Sequence, residues 1–120
     1  MITVTFVKNE DRKITGLFMD GHAGYAEAGS DIVCAGASTL LYTAANALET
    51  ICGYLDSDTT NIHEGEDGSV YAEIVLPPDG IAARADAAQM IMRTVEVGFI
   101  TLASSVNKDG NRYVKITEKI

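Results

Sequence analysis

Two residues stand out for the chemistry they could do together. His22 and Cys34 lie twelve positions apart in the segment Gly21 to Leu40, GHAGYAEAGSDIVCAGASTL. They are one of two histidines and one of two cysteines in the chain. A thiol at the start of a helix is held toward the thiolate by the free backbone N–H groups there. A histidine on a glycine-rich segment can swing in as general base toward that thiol, then as general acid toward a leaving amine. The spacing therefore points to a cysteine hydrolase.

Neighbouring residues fit supporting roles. Asp31 could orient the His22 ring as the third member of a triad, but the residues favour it as the cap of the following helix, a role Ser30 could also take. Ser38 lies one turn beyond Cys34 and could donate a hydrogen bond to substrate. Backbone N–H groups near Cys34, left free at a helix start, would serve as an oxyanion hole. Gly29 or Gly36 would permit close approach, and Ala35 and Gly36 are small enough to leave room for substrate. Gly21, Gly24 and Gly29 make residues 21–30 a flexible loop.

Competing readings of the same thiol exist. Free cysteine is among the most buried residue types, so Cys34 could be a structural thiol in a non-catalytic protein-interaction domain. Rapid alkylation would separate the two readings. A redox sensor would need a resolving partner. Cys52 would lie ~27 Å along one straight helix, too far for an intrachain bridge.

Other chemistries fail on spacing. Gly24 to Asp31 has the GxxxxG of a phosphate loop, but Ser30-Asp31 replaces the Lys-Ser/Thr and Asp31 would repel phosphate. Asp56, Asp58 and Thr60 begin like a calcium loop, but Asn61 stands where the turn glycine belongs. No zinc-like pairing of His and Cys and no G-x-S-x-G elbow occurs. His63 reads as a surface residue. No metal or cofactor is expected.

The elements that must position His22 and Cys34 follow from periodicity. Residues 2–8 alternate, with Ile2, Val4 and Phe6 on one side. Residues 13–20 form a second strand, with Ile14 and Phe18 on one face and Leu17 and Met19 on the other. A helix from about Asp31 to Cys52 stops at Gly53. Residues 60–65 and 69–76 flank the turn Glu66-Asp67-Gly68, and Pro77-Pro78 end the second strand. A second helix spans 79–105, and a last strand spans 113–120 after the NKDGN turn. The order ββαββαβ predicts an α+β fold, a two-layer sandwich with two helices on a mostly antiparallel sheet.

Length and composition agree with one domain over 1–120. The net charge of −8 argues against direct nucleic-acid binding, which needs clustered Lys and Arg. The N-terminus lacks a secretory leader pattern. The apolar run from Ile32 to Leu55 is interrupted by polar residues, so no membrane span is expected. A soluble cytoplasmic protein with free thiols follows. Between Ile32 and Leu55 only Glu49 is charged. A helix so apolar needs cover on more than one side, and a second copy of the chain supplies it, giving a homodimer.

The combination Gly21-His22-Ala23, Gly29, Asp31-Ile32-Val33-Cys34-Ala35 and Ser38 resembles the ribosomal-processing cysteine protease family Prp of Firmicutes and related bacteria. The resemblance extends over the whole chain. It implies a cytoplasmic homodimer that removes a short N-terminal extension from the large-subunit ribosomal protein numbered twenty-seven, cutting after an aromatic pair. It implies Cys34 as nucleophile and His22 as base, and matches family positions at Asp31 and Ser38. The segment after the cysteine is commonly Ala-Ala-x-Ser in the family. Here it is Ala35-Gly36-Ala37-Ser38, a departure expected to trim bulk near the thiol.

Overall fold

The computed structural model describes residues 1–21, 28–64 and 70–120, with only the backbone described for 28–31 and Glu64. The opening alternation becomes β1 (Ile2–Lys8), whose Ile2, Val4, Phe6 and Lys8 are buried in turn. It pairs antiparallel with β2 (Ile14–Gly21). The chain continues through α1 (Ala28–Thr50), a single helical turn α2 (Asp56–Thr59), β3 (Thr60–Glu64), β4 (Val70–Val75), α3 (Ala82–Val106) and β5 (Val114–Lys119). The five strands form one sheet in the order β3-β4-β2-β1-β5. Every neighbour pair is antiparallel except β1 and β5, which run parallel because α3 carries the chain back along the sheet. The expected two-layer α+β architecture is therefore what the chain forms, with α2 as a small addition.

The core lies between one sheet face and the two long helices. Phe6 and Phe99 meet edge to face across it, with ring centroids 6.1 Å apart. Val33, Leu41 and Leu48 come from α1, and Met92 and Val95 from α3. The opposite sheet face is open, and its Thr5, Val7, Phe18 and Val75 line a shallow cleft.

The face assignment within β2 is corrected. Ile14 is buried beside Leu17 and Met19, while Phe18 alone turns to the open face. The cause is a register shift: Val7 pairs with Gly16 but Lys8 pairs with Ile14, leaving Thr15 as an extra residue. A bulge of this kind reverses the alternation beyond it. Gln89 of α3 fixes the start of β2 by accepting from the Ile14 amide at 2.8 Å and donating to its carbonyl at 2.6 Å.

Gly53 ends the first helical segment as expected, with a left-handed φ of 76°. Its amide donates to Glu49, and the Tyr54 amide donates to Leu48, closing the last turn. Tyr54 is thereby carried under the start of the second crossover. Its hydroxyl donates to Asp79 Oδ2 at 2.6 Å, and Arg84 pairs with the same oxygen while its guanidinium lies 4.9 Å from the Tyr54 ring centre. Among the described residues no helix is long and apolar enough to cross a membrane.

Candidate active site

Gly21 closes β2 at the end of the sheet where β1, β4 and β5 begin, paired with Ile2 on one side and Val70 on the other. Its φ is +103°, a region L side chains rarely adopt. A Cβ there would also collide with the Met1 carbonyl oxygen. Glycine is therefore required by two independent constraints at the residue that directly precedes His22. A glycine at the last position of an alternating strand was the available sequence signal for this. His22 and Gly24 lie outside the described residues.

The start of α1 differs from the expectation. The helix begins at Ala28, so Gly29 and Ser30 belong to it rather than to a flexible loop. Asp31 is the fourth helical residue and not an N-cap; its side chain lies outside the described residues. Serine and acidic residues are favoured both as caps and within the first turn, where they complement the helix dipole, so residue type alone did not distinguish the two. Cys34 consequently sits in the second turn. Its amide is past the four free N–H groups of a helix start, so those groups belong to the first turn rather than to Cys34.

The helix surface sorts the residues around Cys34. Successive α-helical residues turn by about 100°, which places Ser38 about 40° from Cys34 and Gly36 about 160° away. Cys34 and Ser38 thus share one flank, both partly buried. Val33 and Ala37 are fully buried toward the sheet. Gly36 and Leu40 occupy the flank that meets α3: a Cβ on Gly36 would lie 3.0 Å from Leu102 Cδ1, and one on Gly98 would lie 2.5 Å from Leu40 Cδ2. Gly36 therefore serves the helix–helix contact, and it does not trim bulk beside the thiol or open room for substrate there. Ala35 and Ile32 are exposed.

The Cys34–Ser38 flank faces away from α3. Since α3 lies over β1 and β5, through Phe99 on Phe6 and Glu96 on Lys8, the thiol flank is turned toward the β4–β3 side of the sheet. Cys34 is partly buried and free, and it packs at the margin of the core. Cys52, just past the end of α1, is also free but buried, and burial pushes its thiol pKa up. His63 is exposed on β3, its ring stacked 6.5 Å from Tyr71. Among the described residues no group of three or more His, Cys, Asp or Glu side chains is placed to hold a metal ion.

The comparisons with known proteins converge. The family described as Cysteine protease Prp matches residues 1–111. A Staphylococcus aureus protein, Ribosomal processing cysteine protease Prp, is 36% identical over 109 residues, which cover 91% of this chain and 94% of that protein. A Bacillus subtilis protein of the same name is 28% identical over 120 residues, covering 100% of this chain and 99% of that one. The crystal structure of S. aureus Prp with a covalently linked product peptide superposes with a TM-score of 0.69 at 34% identity, covering 99% of this chain and 100% of that one. The same protease with a substrate peptide gives a TM-score of 0.72 at 29% identity, over 99% and 100% of the two chains. Sequence and fold agree over nearly the whole length, and the chain belongs to the Prp family of cysteine proteases.

Proposed function

We propose that this protease removes the N-terminal extension of a large-subunit ribosomal protein, the one numbered twenty-seven, with Cys34 as nucleophile and His22 as general base. The observation that carries this reading is the match to the Prp family across residues 1–111, which include both residues. The relatives named for ribosomal processing, and the solved complexes with substrate and covalently linked product peptides, support a peptide substrate and a covalent route.

In this reading the Cys34 sulfur attacks the scissile carbonyl carbon and its proton passes to His22. The tetrahedral intermediate collapses as His22 returns that proton to the departing amine, leaving a thioester on Cys34. Water, deprotonated by His22, then attacks the thioester, releasing the carboxylate and restoring the thiol. Ser38, on the flank of α1 that carries Cys34, contributes a hydrogen bond to the bound peptide. Asp31 acts on the orientation of His22 and not as a cap.

The working unit is a cytoplasmic homodimer. Its support is the outer stripe of α1, where Ile32, Ala35, Thr39, Tyr42, Asn46 and Glu49 are exposed and only Glu49 is charged. Exposed Met90 and Val97 of α3 extend this surface.

The test is cleavage of the extended ribosomal protein by wild type and Cys34→Ala, read by mass spectrometry. One cut by wild type and none by a folded Cys34→Ala supports the reading. Cleavage by Cys34→Ala would remove Cys34 from the role, and an uncut extension with wild type would remove the substrate.

A further inference from the structure

The flank of α3 turned away from α1 is formed by Gln89, Arg93, Glu96, Ile100, Ala103 and Asn107, a stripe ~27 Å long. Its first half lines a cleft of about 510 Å³ with Lys8, Arg12 and Lys13 from the β1–β2 hairpin. Its second half lines a cleft of about 690 Å³ with Arg112, just before β5, and Ile116 of β5. The two clefts follow one another along one helix.

Charge is concentrated there. Lys8, Arg12, Lys13, Arg93 and Arg112 are five of the nine cationic residues in a chain of net charge −8. Three of the seventeen carboxylates accompany them: Asp11, Glu96 and Glu118. Glu96 and Glu118 hold Lys8 at 2.9 and 2.6 Å, and Glu118 also holds Arg12 at 3.0 Å. Among the described residues Lys13, Arg93 and Arg112 make no salt bridge. Lys13 and Arg93 stand in the first cleft and Arg112 in the second, whereas Lys115 shares the open face of β5 with Thr117 and Lys119. Between Arg93 and Arg112 the floor is aliphatic, through Ile100, Ala103 and Ile116.

We infer that this groove docks an acidic peptide segment of a partner protein, with carboxylates at its two ends and aliphatic residues between them. The charge pattern selects an anion even though the whole protein is acidic. The stretch from Arg93 to Ser104 covers ~16 Å of helix, about the span of five extended residues. The aliphatic floor and the absence of any aromatic side chain among the residues lining either cleft favour a peptide over single-stranded nucleic acid, whose bases need stacking platforms. The inference is independent of the role assigned to Cys34.

The test is fluorescence anisotropy with a labelled peptide, Glu-Glu-Leu-Ala-Leu-Ala-Glu-Glu, on the full chain at low and high salt. Arg93→Glu and Arg112→Glu are each expected to weaken binding by about tenfold or more, while Lys119→Glu on the open sheet face leaves it within about twofold. Circular dichroism checks that each variant is folded. The inference is overturned by absent binding to wild type at low salt, or by equal weakening in Lys119→Glu, which would make the effect one of net charge. It is also overturned if an oligouridine of equal charge binds more tightly, or if the groove variants change the oligomeric state.

Discussion

Leu40 of α1 lies over Gly98 of α3, so close that a Cβ added to Gly98 would stand 2.5 Å from Leu40 Cδ2. Leu102 stands in the same relation to Gly36, four residues away on each helix and in the opposite direction along the chain. The two helices therefore cross antiparallel, each offering a leucine to the other's glycine. Gly98→Val is expected to destabilise the protein by about 1–3 kcal/mol through overpacking, measured by urea denaturation.

Gly36→Ala tests the same contact against a role in the active site. Its Cβ needs only a small movement of Leu102, and alanine raises helix propensity by up to about 1 kcal/mol, so stability should change little. Cleavage by this variant should match wild type because Gly36 lies on the far side of α1 from Cys34. A loss of kcat with unchanged stability would restore Gly36 to the site.

Gly21→Ala should be costly at the other end of the sheet. The positive φ and the Met1 carbonyl oppose any side chain, and the expected loss is about 2 kcal/mol or more. Because the strained residue adjoins His22, kcat should fall further than the folded fraction, a difference visible in cleavage assays corrected for unfolding.

The two thiols should react differently. In the folded protein iodoacetamide near neutral pH should modify Cys34 and spare Cys52, which is buried and whose thiol is pushed up by that burial. Peptide mapping before and after denaturation reads the outcome. Equal labelling of both in the native state would contradict it.

The Tyr54–Asp79–Arg84 group predicts pH dependence at both extremes. Arg84, the Tyr54 hydroxyl and the Ile81 amide hold the Asp79 carboxyl well below the usual carboxylate range. A depressed folded pKa stabilises the fold above the unfolded value of about 4, and this contribution is lost as pH falls further. Asp79→Asn should flatten the acid limb of stability. Tyr54 is pushed up to about 12, first by burial and then by its bond to Asp79. Its contribution is complete below the unfolded value of about 10 and is lost as pH rises toward 12. Ultraviolet titration should show one late phenol that disappears in Tyr54→Phe.

Much of this protein was legible in the chain itself. The alternation of Ile2, Val4 and Phe6 placed β1, and the long apolar runs placed α1 and α3 to within a few residues at most ends, because periodicity is local and burial enforces it. Gly53 marked the end of α1 for an equally local reason. The candidate pair His22 and Cys34 came from residue type and spacing. The start of α1 was misplaced because Ser30 and Asp31 suit either side of a helix boundary.

What only the tertiary structure decided are relations between distant segments. The bulge at Thr15 arises from how β2 pairs with β1, and it turns Ile14 inward against the expected alternation. The meaning of Gly36 depended on Leu102, sixty-six positions away. Asp79 gained its partners from the end of α1 and the start of α3. Five cations scattered from Lys8 to Arg112 came to border one groove only once α3 was laid beside β5 and the opening hairpin. Local patterns specify elements because their hydrogen bonds and exposed faces are local. Packing partners and charge clusters are set when those elements meet, and a single chain read in order does not contain that distance information.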